Sequence, residues 1–112
     1  MINLQQYFPA IMEVVREQQR QVDKWGKQSH PEYTEYPLLP PSISILVSPT
    51  ARSAQNICDV KSKNGKLAWN DILVEECLEA FEEAKKGDIE ALRKELIQVA
   101  AVCCSWIDDI DQ

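Results

Sequence analysis

Two amphipathic helical segments, joined at Lys86-Gly87-Asp88, dominate the second half of this chain and limit the folds open to it. The first segment begins near Trp69 and the second ends near Trp106. Gly87 can take the left-handed conformation that ends a helix, and Asp88 is a favourable N-cap for the next one. The turn is too short to separate the two helices, so the sequence predicts an α-helical hairpin.

Acidic residues at helical spacing indicate that this hairpin carries a polar groove. Residues three apart lie on the same side of a helix, so Glu76 and Glu79 share one side, and Glu95 and Gln98 share another. We expect the two pairs to face each other. Glu95 lies at the edge of the apolar run LIQVAAVCCSWI, where a carboxylate is costly to bury unless a cation offsets it. A divalent metal ion is therefore expected, whereas Glu82 and Glu83 are assigned to a solvated face.

The rest of the chain is predicted to be mostly helical as well. A helix over residues 3–25 is expected to pack against the acidic hairpin, and Gly26 ends it. A shorter helix is predicted to start with Ser48 as N-cap and Pro49 as its first residue, and to end near Lys63. The final helix is expected to be central, and the aspartates after it to be solvated. The apolar side of the first helix is marked by Leu4, Tyr7, Ile11, Val15, Val22 and Trp25.

Five prolines between residues 31 and 49 exclude a continuous helix there. We interpret this segment as an extended loop that crosses the surface or reaches a neighbouring subunit. Residues 43–47 have β character, but one short strand without a partner does not form a sheet. The predicted fold is therefore all-α.

Length and composition favour one soluble domain over residues 1–112. The net charge of −6 argues against binding a nucleic-acid polymer, although free nucleotides remain possible because a metal ion can reverse the local field. The start of the chain does not have the pattern of a signal peptide, and no run is apolar enough to span a membrane. No CxxC pair occurs among the four cysteines, which we interpret as reduced thiols of a cytoplasmic protein.

The acids of the hairpin resemble a known signature. Glu75-Glu76-x-x-Glu79 followed by Glu95-x-x-Gln98 is similar to the EExxE…ExxD motif of the MazG-like all-α nucleoside triphosphate pyrophosphohydrolases. The segments RQVDKWGKQSHPE, WNDILVEECLEA and LRKELIQVAAVCCSWI resemble a short, single-domain phage and bacterial branch of that family. Only the proline-rich middle of the chain lies outside the resemblance.

The resemblance implies a helical subunit whose four-helix core is completed in a homodimer or homotetramer. It also implies Mg²⁺-dependent cleavage of nucleoside triphosphates to monophosphates and pyrophosphate, with Mn²⁺ as a possible substitute. Glu76, Glu79 and Glu95 match metal ligands of the family, and Glu75 matches the leading acid, which assists the metal or positions water. Clearance of surplus or noncanonical nucleotides is the implied role.

Gln98 departs from the family pattern, which has aspartate at this position. Its amide oxygen can still bind a metal ion, but the substitution removes one negative charge. The chain therefore has two interpretations: a metal-dependent hydrolase with catalytic Glu75, Glu76, Glu79 and Glu95, or a helical oligomerisation or regulatory module without activity.

Four further residues are predicted to contact a nucleotide, each with a structural alternative. Lys24 and Trp25 could meet a phosphate and a base, or could serve as an interfacial cation and a core aromatic. His30, the only histidine, could contact the nucleotide or have a structural role in the turn before Pro31. Lys94 could contact phosphate or belong to a cationic solvent face. Trp69 and Trp106 are assigned to the core.

Overall fold

The computed structural model describes residues 4–32 and 50–112, which fold into four helices. These are α1 (Leu4–Trp25), α2 (Ala51–Lys63), α3 (Trp69–Lys86) and α4 (Ile89–Asp111). No strand occurs within these two regions, so the all-α prediction is confirmed for them. Most of the proline-rich segment, including residues 43–47, lies outside the described residues. None of the four helices is long and apolar enough to cross a membrane.

The ends of the hairpin helices follow the local signals in the sequence. Gly87 ends α3 with a positive φ of 78°, and the Asp88 carboxylate accepts a hydrogen bond from the backbone nitrogen of Ala91 at 3.0 Å. The predicted start of α2 was wrong by two residues. Thr50 rather than Ser48 is the N-cap, because its hydroxyl accepts from the backbone nitrogen of Ser53 at 3.1 Å.

Among the described helices, α4 packs against both α1 and α3, and α2 packs against α3. The side chains buried among these helices are small, apart from Trp69 and Asp71. Asp71 forms an ion pair with Lys61 of α2 at 2.7 Å and accepts a hydrogen bond from the backbone nitrogen of Ala68 at 3.0 Å. The apolar part of this core consists of Ala54, Cys58, Ala68, Trp69, Ala80, Ala101 and Val102.

Helix α1 contacts the hairpin as predicted, but its apolar side does not make the contact. Ile11, Val15, Val22 and Trp25 are all exposed, with Trp25 at 65% of its full area. A different side of α1, which includes half-buried Glu13 and Val14, faces α4, and Arg93 donates a hydrogen bond to Glu13 across this boundary. Within the single chain, the apolar side of α1 is therefore not the side that packs on the hairpin. The apolar side of α4 is also partly exposed, since Ile89, Leu96 and Ile107 are accessible to solvent.

Asp109 ties the segment after α1 to the end of α4. Its carboxylate accepts hydrogen bonds from the Ser29 hydroxyl, the His30 backbone nitrogen and the indole nitrogen of Trp69, at 2.9, 3.1 and 2.8 Å. The Trp69 bond is the main reason that the pKa of Asp109 lies below its usual value. This aspartate was wrongly assigned to a solvated tail, because its partners are 40 or more residues away in the sequence.

We expect Asp109→Ala to lower the melting temperature by several degrees, since three donors would lose one shared acceptor. Thermal unfolding followed by circular dichroism measures the change. Asp111→Ala is the matched control, because this aspartate is exposed in the same last turn. Equal melting temperatures for the two variants would show that the Asp109 contacts do not stabilise the fold.

Candidate metal and nucleotide site

Three carboxylates from the two hairpin helices meet in one cluster. Glu76 and Glu79 project from α3 and Glu95 projects from α4, and one oxygen of each lies within 4.8 Å of the others. The i and i+3 spacing puts the first two on one side of α3, and the tight turn at Gly87 brings α4 alongside. The sequence prediction that these acids face each other is confirmed.

The cluster is electrostatically unfavourable by itself. Burial, followed by the charges of Glu79, Glu75 and Glu95, raises the pKa of Glu76 to about 8. Burial and the neighbouring Glu79 raise the pKa of Glu95 to about 7, and the charges of Glu83 and Glu17 add to this effect. One carboxylate oxygen, Oε2, in each of Glu76 and Glu95 is buried without a hydrogen-bond partner among the described residues.

This donor set fits a hard divalent cation. Carboxylate oxygens are the ligands that Mg²⁺ and Mn²⁺ prefer, and two of the three acids keep an oxygen that no protein donor reaches. A bound cation would offset the repulsion that raises the pKa values of Glu76 and Glu95. The residues of the cluster therefore satisfy the chemical requirements of a magnesium site.

Glu75 and Gln98 lie beside the cluster in different ways. Glu75 is half-buried beside Cys58 of α2, whose thiol donates a hydrogen bond to the backbone oxygen of Asp71 at 3.3 Å. Burial raises the pKa of Glu75 above its usual value. Gln98 lies one turn after Glu95 on α4, and it lines the same cleft as Glu75 and Glu76.

The two acids assigned to a solvated face are in fact half-buried. Glu82 accepts a hydrogen bond from the backbone nitrogen of Ala51 at 2.9 Å, so it binds the first turn of α2. A carboxylate at that position also complements the positive end of the helix dipole. Glu83 forms an ion pair with Lys86 at 3.4 Å, and its charge reaches Glu95. The solvated-face assignment was wrong for Glu82, because the docking of α2 is a long-range contact.

A cleft of about 910 Å³ is lined by Glu76 of the cluster and by three of the predicted nucleotide contacts. Lys24, Trp25 and His30 all line it, as does Trp69. The Lys24 ammonium lies 4.7 Å from the centre of the Trp25 ring. Burial lowers the pKa of His30, and its ring meets the Trp69 ring edge-on at 4.9 Å. The cleft thus combines aromatic surface with carboxylates.

Lys94 lies apart from the other three residues. It lines a second, smaller cavity between α1 and α4, with a volume of about 500 Å³. The two cavities share three lining residues, Glu17, Arg20 and Gln98. The predicted nucleotide contacts are therefore divided between adjacent cavities rather than gathered in one.

Sequence reasoning missed Glu17 and Arg20. They form an ion pair three residues apart on α1, and both line the junction of the cavities. Their spacing in a charged helix resembles an ordinary solvent-exposed pair. Only the packing of α1 on α4 brings the charge of Glu17 within reach of Glu95.

Trp69 is buried, as predicted, and stacks on Trp106 with ring centres 6.4 Å apart. Trp106 is half-buried, and its indole nitrogen is buried without a partner among the described residues. The two rings support the wall of the cleft to which Trp69 contributes.

Comparisons of the chain with protein-family models, curated proteins and solved structures gave no match.

Proposed function

We propose that this protein is a metal-dependent nucleoside triphosphate pyrophosphohydrolase, which cleaves a nucleoside or deoxynucleoside triphosphate to the monophosphate and pyrophosphate. The observation that carries the proposal is the cluster of Glu76, Glu79 and Glu95, whose oxygens lie within 4.8 Å of one another. The likeness of its spacing to the MazG-like signature, noted above from the sequence, supports the same activity. Clearance of nucleotides from the cellular pool is the corresponding role.

In this proposal Glu76, Glu79 and Glu95 would hold Mg²⁺, and the amide oxygen of Gln98 would complete the donor set. When bound, Mg²⁺ would supply positive charge to the phosphates and lower the pKa of the attacking water. Glu75 accepts a proton from that water or positions it, because its half-buried carboxylate lines the cleft beside Glu76.

The aromatic part of the larger cleft is the proposed binding site for the nucleoside. Trp25 offers an exposed ring on which a base can stack, with Lys24 beside it and His30 in the same wall. Stacking of this kind is tolerant of base identity, so the substrate is defined by its triphosphate more than by its base.

The direct test is release of pyrophosphate from a panel of ribo- and deoxynucleoside triphosphates with Mg²⁺ or Mn²⁺. We expect the monophosphate and pyrophosphate to appear in equal amounts, and a chelator to stop the reaction. Release of orthophosphate alone, or release that persists in the chelator, would contradict the proposal.

We further propose that two or more copies of the chain associate through the exposed apolar sides of α1 and α4. Eight large side chains on these sides are between 43% and 70% exposed. At roughly 80–100 Å² each they supply on the order of 700 Å², close to the contribution of one partner to a standard interface. Spacings of three, four and seven residues make such stripes self-complementary. The residues are Phe8, Ile11, Val15, Val22, Ile89, Leu96, Ile107 and Ile110.

Val15→Glu is expected to shift the protein from an oligomer towards the 12.8 kDa monomer, because it would bury a charge in the interface. Sedimentation velocity at several concentrations measures the mass. Val60→Glu is the matched control, since Val60 is an exposed valine on α2, outside the proposed interface. A wild-type chain that sediments as a monomer at every concentration would refute the association.

The second candidate function is a helical oligomerisation or regulatory module without catalytic activity. The exposed apolar sides of α1 and α4 favour it, as does the amide at Gln98. A Gln98→Asp variant separates the two candidates. If the wild type is inactive and the variant hydrolyses nucleotides, the chain keeps the site architecture and has lost one ligand charge.

A further inference from the structure

The cavity between α1 and α4 is basic, although the chain as a whole carries a net charge of −6. Its charged lining consists of four cations and two acids, which leaves an excess of two positive charges. The cations come from both helices, so they surround the cavity rather than lie along one surface. They are Arg16 and Arg20 from α1 and Arg93 and Lys94 from α4.

The two acids each hold one of these cations in place. Glu13 forms an ion pair with Arg93 across the boundary between α1 and α4, and Glu17 pairs with Arg20 along α1. Within the described regions, neither Arg16 nor Lys94 forms an ion pair at contact distance, although the charge of Arg16 reaches Glu13. Guanidinium and ammonium groups that are not held by a carboxylate at contact distance are natural ligands for phosphate oxygens.

The cavity adjoins the larger cleft, which Glu76 of the acid cluster lines. Glu17, Arg20 and Gln98 line both this cavity and the larger cleft, and the charge of Glu17 reaches Glu95. A ligand that spans both cavities past Glu76 and Gln98 would therefore have the aromatic cleft at one end and the basic cavity at the other. A volume of about 500 Å³ lies within the range found for small-ligand sites.

We propose that the basic cavity binds the β- and γ-phosphates of the triphosphate, and hence the pyrophosphate that leaves, with Arg16 and Lys94 as its phosphate ligands. The inference rests on the proposed function and adds the direction in which the substrate lies. The nucleoside and α-phosphate occupy the larger cleft, and the scissile bond lies over the acids. The pyrophosphate leaves from the α1–α4 side, so its departure does not require the nucleoside to move.

Calorimetric titration of the full chain with pyrophosphate tests the site without relying on turnover. The titration is run once with Mg²⁺ and once in a chelator, because the cations belong to the protein and attract phosphate in either condition. We expect Arg16→Ala and Lys94→Ala each to weaken pyrophosphate binding about tenfold, as loss of one charge-assisted contact would. Arg52→Ala is the matched control, since Arg52 is an exposed cation on α2.

A nucleoside monophosphate is the second ligand, and it distinguishes the two cavities. Its affinity should be unchanged by Arg16→Ala and Lys94→Ala, whereas Trp25→Ala should weaken it and leave pyrophosphate binding intact. Equal loss of both ligands in the same variants would overturn the assigned direction. Pyrophosphate that binds the wild type and both cation variants equally, or does not bind at all, would overturn the site.

The two proposals fail in different ways. If Glu79→Gln abolishes pyrophosphate release but Arg16→Ala and Lys94→Ala leave pyrophosphate binding unchanged, the proposed activity is supported and the basic cavity is not its phosphate-binding site. If pyrophosphate binding depends on these cations but no nucleotide is cleaved, the anion site stands and the proposed activity is wrong.

Discussion

Glu79→Gln is expected to lower kcat for triphosphate cleavage by about a thousandfold or more, since it removes one of three carboxylate ligands from the proposed metal site. The amide keeps the size and hydrogen-bonding capacity of the side chain, so the helical fold should remain. Pyrophosphate release at saturating Mg²⁺ and substrate measures the loss, and circular dichroism checks the fold.

The same variant should be at least as stable as the wild type when no metal is bound. Glu79 contributes to the raised pKa values of both Glu76 and Glu95, so removing its charge relieves repulsion in the cluster. A purely structural glutamate would behave in the opposite way, because its loss would lower stability.

Glu90→Gln is the control for charge. Glu90 is an exposed acid in the first turn of α4 and takes no part in the cluster. If Glu79→Gln cleaves nucleotides as fast as Glu90→Gln, the assignment of the metal site is wrong.

The second large effect is a loss of stability as the pH rises in the absence of metal, which added Mg²⁺ should counteract. In a chelator, the melting temperature should fall by several degrees as the pH rises from about 6.5 to about 8.5. The pKa of Glu76 is about 8 and that of Glu95 is about 7 in the folded chain, whereas both are near 4.5 when unfolded. Over this range the folded protein binds more protons than the unfolded protein, so raising the pH favours unfolding.

The lower limit of the pH range is set by His30. Burial lowers the pKa of His30 below 6.5, so its contribution has the opposite sign and stability is lost as the pH falls through the unfolded value. As the pH rises above its ordinary pKa of about 6.5, His30 becomes neutral in both states, so the slope comes increasingly from the two glutamates.

Mg²⁺ should stabilise the protein most at the upper end of this range, because it binds the ionised carboxylates and not their acids. Adding a nucleotide with Mg²⁺ should raise the melting temperature further. Calorimetry in two buffers of different ionisation enthalpy would detect the protons released on metal binding. A Glu76→Gln variant should flatten the pH dependence in the chelator. A wild-type melting temperature that rises with pH, or that ignores Mg²⁺ at every pH, would contradict the cluster as a metal site.

The acid hairpin shows how far local pattern can reach. The helical period alone placed Glu76 beside Glu79, and Gly87 with Asp88 alone placed the turn. Once the turn is short, the two helices must lie side by side, so the approach of Glu95 was also predictable. The burial of the unpaired carboxylate oxygens of Glu76 and Glu95 was not predictable, because it depends on which side chains cover the groove.

The errors concern contacts between residues far apart in the sequence. Asp109 was assigned to solvent because nothing near it in sequence needs an acceptor, yet Trp69 and residues 29 and 30 converge on it. Glu82 was misassigned for the same reason, since its partner is the backbone of α2. Side-chain type and spacing carry no information about such partners.

The sequence by itself determined that this protein is helical where the structure describes it, where the hairpin turns, and which acids share a side. These features depend on the period of the helix and on the backbone preferences of glycine and aspartate, which act over a few residues. Tertiary structure decided which side of α1 meets α4, and so created the basic cavity beside the acids. The side of α1 that meets α4 depends on how whole helices pack. The same packing forms the Glu13–Arg93 ion pair and leaves the apolar side of α1 exposed.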